Sequence, residues 1–256
     1  MCRAFALMLL LANGLQARAD GPNSKDSTAA NAREASSRSP QSMPIVIGFV
    51  GGFIRHDDAV HSTVIVARNL QKDYAGSVHV ETFENRRVGD AKNEVMRLLA
   101  SGRSGKPTAE EKSAARVILY GHSWGASAVV SLARQLQTSG IPVLLTVQVD
   151  SVRKVGQDDA VIPSNVEHAA NFYQDNGFPR GEKHIRAADA SRTQILGNFR
   201  FDYTSKSVTC LDYPWFARTF MKTHIEIECD PAVWHQVEGL IRAQLPSLTA
   251  KETAPQ

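Results

Sequence analysis

From residue 44 onward, short apolar runs alternate with stretches in which apolar residues recur every three or four positions. The run "IVIGFVGGF" (45–53) is apolar throughout and closed by glycines, the mark of a buried strand. "AVHSTVIVARNLQKDY" (59–74) has helical spacing with polar residues on one side. "SVHVETFE" (77–84) alternates as a strand does, and "AKNEVMRLLASG" (91–102) is an amphipathic helix stopped by glycine. "GKPTAEEKSA" (105–114) reads as a loop or a short helix. Strand "RVILY" (116–120), turn "GHSWG" (121–125), helix "ASAVVSLARQLQTSG" (126–140) and strand "IPVLLTVQVD" (141–150) follow. Beyond Asp150 the pattern blurs. "AANFYQ" (169–174) and "TQILGNFRF" (193–201) are the best further strands, and "PAVWHQVEGLIRAQL" (231–245) a last helix. Continuous apolar strands alternating with helices predict an α/β domain over residues 44–248, with a mostly parallel central sheet and helices on both faces.

The ends read differently. Residues 1–19 have a basic start at Arg3, an apolar run from Ala4 to Ala12, and Ala17-Arg18-Ala19 at the close. That layout predicts a secretory signal peptide cleaved near Ala19, and so a periplasmic or secreted product. The apolar run is too short to remain as a transmembrane anchor. Residues 20–43 are rich in Ser, Ala and Asn with no apolar period and read as a disordered leader, and 249–256 as a disordered tail.

Cleavage would remove Cys2 and two arginines and no acid, taking the formal charge from +3 to +1. A nearly neutral surface argues against a nucleic-acid partner. The two remaining cysteines, Cys210 and Cys229, form a bridge or stay as two buried thiols; compartment alone leaves both open.

The chemistry centres on "VILYGHSWGAS" (117–127), four apolar residues running into Gly-x-Ser-x-Gly. Alone the motif is weak, but a buried strand before it and a helix after it give it a mechanical meaning. Gly121 and Gly125 let strand and helix approach around a sharp turn that thrusts Ser123 forward as a nucleophile. The helix N-terminus then faces developing negative charge, and the backbone N–H of Trp124 is the natural first donor of an oxyanion hole.

This stretch resembles the nucleophile elbow of the α/β-hydrolase fold, in particular its lipase and esterase branch. The resemblance spans roughly residues 44–246 and loosens toward the C-terminus. It implies the chain order serine, acid, histidine, and a second oxyanion donor from a glycine-rich loop after an early strand. "GFVGGF" fits that loop through the N–H of Gly52 or Phe53; the alternative is an ordinary Gly-Gly turn. Asp150 closes the strand after the elbow helix, at the carboxyl end where parallel-sheet sites lie. Its rivals are Asp158 and Asp159 in "GQDDAVIP". The resemblance places the base just before the last helix, at His224, in preference to His168, His184 and His235.

Metal chemistry is not expected. "HDDAVH" (56–61) offers His56, Asp57, Asp58 and His61, but its spacing matches no strong zinc signature and suits a polar helix start. What the resemblance implies is a cofactor-free serine hydrolase acting on a small acyl ester, a thioester or a lipid. An acyltransferase on the same three residues, and a binding protein that keeps only the fold, are the competing readings.

Overall fold

The computed structural model describes residues 42–248. The signal peptide expected over 1–19, nearly all of the leader expected over 20–43 and the tail at 249–256 lie outside the described residues.

The first half follows the apolar pattern element by element: β1 (Ile45–Val50), α1 (Ser62–Asp73), β2 (His79–Glu84), α2 (Val88–Leu99), the short α3 (Ala109–Ser113), β3 (Val117–His122), α4 (Trp124–Thr138) and β4 (Val143–Val149). The second half adds a two-residue β5 (Val161–Ile162), β6 (Val166–Tyr173), a two-residue β7 (Arg186–Ala187) and β8 (Gln194–Arg200). Three helices close it: α5 (Trp215–Phe220), α6 (Lys222–Cys229) and α7 (Pro231–Ala243).

Six strands form one sheet in the order β2-β1-β3-β4-β6-β8, and every neighbouring pair is parallel. β5 and β7 pair separately. Parallel strands need both faces covered, which is why the central β1, β3 and β4 read as near-continuous apolar runs. Alternate residues feed two cores. Ile45, Ile47, Phe49, Val117 and Leu119 pack with Ala91 and Val95 of α2 and with Val129 and Leu132 of α4. Val46, Ile118, Leu145 and Val147 pack on the other side with Val66 and Leu70 of α1 and with Val233 and Val237 of α7.

The chain leaves β1 outward to β2 and returns on the other side to β3. The loops after β1 and β3 therefore diverge and open a crevice at the carboxyl edge of the sheet, where open α/β sheets bind ligands.

One boundary differs from expectation. The aspartates of "HDDAVH" do not start α1, which begins at Ser62. Its first amide finds its acceptor on a distant element instead. Glu228 of α6 accepts from the Ser62 N–H at 3.0 Å, and the Ser62 hydroxyl donates to the Glu228 carbonyl at 2.7 Å. A cap supplied from 166 residues away leaves no local sequence trace. No helix among the described residues is long and apolar enough to cross a membrane.

Candidate active site

Ser123 sits between β3 and α4 with φ 57° and ψ −125°. For a residue with a side chain this left-handed conformation costs roughly 1–3 kcal/mol and survives only where its surroundings enforce it. Here they do. A Cβ on Gly125 would collide with the Phe49 backbone, and one on Gly121 with Gly125, so the elbow is clamped against β1 by two residues that must be glycine. The Ser123 N–H donates to the Val149 carbonyl at 2.9 Å, and its own carbonyl accepts from Ala126 and Ser127 at 3.0 and 3.2 Å.

The Ser123 hydroxyl lies 2.9 Å from Nε2 of His224, and Nδ1 of the same ring lies 2.6 Å from Oδ2 of Asp150. A carboxylate can only accept, so Nδ1 carries the proton and Nε2 is left as acceptor for the hydroxyl. His224 stands in the first turn of α6, directly before the last helix. Asp150 follows β4 with φ 44°; it and Ser123 are the two non-glycine residues at positive φ among those described.

Asp150 is fully buried. A buried carboxylate is tolerable only when its oxygens are satisfied. They accept from the Gly181 N–H at 3.1 Å and from the Gln174 side-chain amide at 3.0 Å, besides His224. A Cβ at Gly181 would collide with Asp150, so the glycine is what lets its loop close over the acid.

The rival acids turn elsewhere. Asp159 is buried and accepts from the hydroxyls of Ser127 at 3.0 Å and Ser151 at 2.9 Å, and burial raises its pKa above the ordinary aspartate value despite those bonds. Asp158 is exposed and accepts from the Ala160 N–H. Both follow a loop that leads away from the end of β4, whereas Asp150 stands on that end. Of the other histidines considered, His168 faces the Leu144 carbonyl on β6, and His184 and His235 are exposed.

The loop after β1 abuts the elbow: a Cβ on Gly51 would stand 3.0 Å from Cβ of Ser123. Next comes Gly52 at φ +47°. The N–H groups of Gly52, Phe53 and Trp124 have no hydrogen-bond partner among the described residues. The Phe53 and Trp124 rings meet edge to face at 5.7 Å.

Several residues around the site escaped the sequence reading. The Asn85 side chain, after β2, donates to the Gly52 carbonyl at 2.6 Å, and the Lys154 ammonium donates to the Asn85 carbonyl at 2.9 Å. Burial lowers the Lys154 pKa. His122, buried beneath the site, stacks on His224 with centroids 4.7 Å apart, and its Nε2 donates to the His224 carbonyl at 3.3 Å. Burial first, and the neighbouring His224 second, hold the His122 pKa well below the ordinary histidine value. Gln174 carried one weak signal, a polar residue ending the apolar run "NFYQ". Gly181 lay in a stretch that looks merely solvated.

The "HDDAVH" residues do not gather into one site, though Asp58 stays within 3.7 Å of His61. Arg55 pairs with Asp57, His56 with Glu84 at 2.9 Å, and His61 turns into a buried cluster with Glu228 and Tyr213. A different trio, His79, Glu81 and Glu94, has ligand-type atoms within 4.8 Å of one another, but Arg97 engages both oxygens of Glu94. Cys210 and Cys229 are joined as a disulfide with Cα atoms 5.9 Å apart, tying the segment before α5 to the end of the helix that carries His224.

No protein-family model and no curated protein matches the chain. Solved structures do. A thermostable esterase from Pseudomonas putida is 11% identical with a TM-score of 0.44, over 82% of this chain and 77% of the esterase. The thioesterase domain SrfTE, which cyclises the lipopeptide antibiotic surfactin, is 12% identical with a TM-score of 0.38, over 80% and 93%. RedJ, solved with a polyethylene glycol molecule in its active site, is 11% identical with a TM-score of 0.36, over 74% and 85%. With TM-scores below 0.5 these likenesses are distant, and the chemistry has to be read from this chain's own side chains. The parallel six-stranded sheet, its strand order and the strand–serine–helix elbow make the fold one of the α/β-hydrolase type.

Proposed function

We propose that the chain is a serine hydrolase that cleaves a carboxylic ester or thioester through an acyl-enzyme. The observation that carries this reading is the unbroken line from the strained Ser123 hydroxyl through His224 to the buried Asp150, at 2.9 and 2.6 Å. His224 takes the serine proton as the oxygen attacks the acyl carbonyl. Asp150 holds the ring in the tautomer that can accept it and stabilises the imidazolium that forms. The N–H of Trp124, at the start of α4, and that of Phe53 or Gly52 receive the developing oxyanion. The imidazolium protonates the leaving alcohol or thiol, and water, activated by the same ring, releases the acid.

Water apart, every step uses groups of the chain itself. The layout of residues 1–19 supports export to the periplasm or beyond.

The test is hydrolysis of p-nitrophenyl acetate. Wild-type protein turns it over, while Ser123→Ala, with an unchanged circular dichroism spectrum, does not. Equal turnover by the variant would refute the reading.

A further inference from the structure

Two hydrogen bonds hold the His224 ring, one to Ser123 and one to Asp150. Both meet the ring at its edge, one at each nitrogen. They fix the ends of the line from Nε2 to Nδ1 and leave the ring free to rock about that line. What meets its face is a second imidazole. The His122 ring stacks on it with centroids 4.7 Å apart and planes 30° from parallel.

His122 is the last residue of β3 and directly precedes the nucleophile. Strand alternation sends it to the side of the sheet taken by Ile118 and Tyr120. Its backbone pairs with Val149 of β4, so the ring stands on the rigid part of the fold. An apolar side chain would fill this buried place with no polar atom to satisfy, whereas a buried imidazole needs a partner. The partner is the backbone of His224, whose carbonyl accepts from Nε2 of His122 at 3.3 Å. On the other side, a Cβ on Gly51 would stand 3.3 Å from Nδ1 of His122. His122 therefore touches both the helix that carries His224 and the loop that carries the candidate oxyanion donors, and it is bonded to Ser123.

Burial first, then His224 on α6 and His61 before α1, hold the His122 ring neutral, against the opposite pull of the His224 carbonyl. A neutral aromatic face attracts a cation lying on it, while a second charge there would repel it.

We propose that His122 is a positioning residue for the His224 base. Its ring stops the His224 imidazole from rocking off the line between Ser123 and Asp150, and its face supports the imidazolium formed when the serine proton is taken. The role presupposes the proposed hydrolase reading.

The experiment compares wild-type protein with His122→Phe, His122→Gln and His122→Leu on p-nitrophenyl acetate, well below the melting temperature of each. Phenylalanine keeps the flat face and loses the donor, glutamine keeps a donor and loses the face, and leucine loses both. His122→Gln should lower kcat about ten- to thirty-fold, the range of an aromatic ring's hold on a desolvated cation. His122→Leu should fall at least as far, and His122→Phe should recover to within about five-fold of wild type. KM should stay within about two-fold throughout, because the ring acts on the base and not on the bound substrate. Labelling of Ser123 by a fluorophosphonate should slow in the same order.

Glutamine and leucine variants that melt lower yet keep wild-type kcat would reduce His122 to a packing residue. A phenylalanine variant as slow as the leucine variant would remove the claim for the ring's face, and a loss carried by KM would move the effect to substrate binding. Should the variants not fold, nitrogen-15 NMR of the wild-type protein decides. It should find His122 neutral with its proton on Nε2 across the pH range of activity; a ring that protonates there, or carries its proton on Nδ1, overturns the proposal. Wild-type protein inert to both ester and probe would refute the hydrolase reading and this role with it, whereas an active wild type with three unimpaired variants would refute this role alone.

Discussion

The side-chain amide of Asn85 holds the Gly52 carbonyl at 2.6 Å. A peptide unit is planar, with its C=O and N–H pointing opposite ways. Fixing the Gly52 oxygen therefore also fixes the direction of the Phe53 N–H. Lys154 braces Asn85 in turn from the loop after β4. On the proposed mechanism Asn85 is a positioning residue for one oxyanion donor. Asn85→Ala should lower kcat about ten- to a hundred-fold, less than or equal to the loss of a donor outright. KM should change little, because the donor matters most once the carbonyl oxygen becomes charged. Steady-state kinetics on p-nitrophenyl acetate check this; a raised KM with kcat unchanged would give Asn85 a different role.

Asp150 and Asp159 separate by the same measurement. Only Asp150 reaches His224, while Asp159 serves Ser127 and Ser151. Asp150→Asn should cost about 10⁴-fold in kcat, since an amide at that position lets the ring adopt the wrong tautomer. Asp159→Asn should leave kcat within a few-fold and act mainly on stability. A large kcat loss in Asp159→Asn with none in Asp150→Asn would reverse the assignment.

His122 makes a pH-dependent contribution whose sign follows from its burial. The folded chain holds the ring neutral, and the unfolded chain lets it protonate below about pH 6.5. Between the folded and unfolded pKa values the unfolded state binds more protons, so acidification costs stability there, by up to about 1.4 kcal/mol per pH unit. His122 thus contributes fully above about pH 6.5 and loses that contribution as the pH falls. His61 runs the other way. Burial alone would lower its pKa, but Glu228 and Asp58 outweigh it and raise it, so its contribution is present at low pH and lost as the pH rises. His122→Gln leaves His61 in place. Urea midpoints measured on both proteins across this range should show a shallower acid-side loss in His122→Gln. Parallel curves for the two proteins would contradict the assignment.

How much of this was legible in the sequence depended on distance along the chain. β1, β3 and β4 were readable because each is an apolar run buried on both faces, and β2, at the sheet edge, because it alternates; all are bounded by local stops. The turn at Ser123 was readable because its two glycines lie within two residues of it. What stayed hidden was held by contacts between remote segments. Glu228 caps α1, Gly181 closes over Asp150, and Asn85 reaches back to Gly52; each of these residues belongs to a stretch whose own pattern is that of an ordinary helix or loop. The choice between Asp150 and Asp159 was open for a similar reason. Both follow β4 with no intervening strand, and only the direction of the loop between them separates the two carboxylates. No local pattern marks Trp215 and Phe216 as exposed; their outward position follows from Ala217, the small residue that takes α5's inward position.

The central claim is that Ser123 is a nucleophile armed by His224. Reaction with a fluorophosphonate probe, read by intact mass and by peptide mapping, tests it without any assumption about the natural substrate. The account predicts one adduct per chain, on Ser123, absent from Ser123→Ala and strongly slowed in His224→Ala. A wild-type chain that stays unlabelled, or a Ser123→Ala chain labelled as fast as wild type, would contradict it.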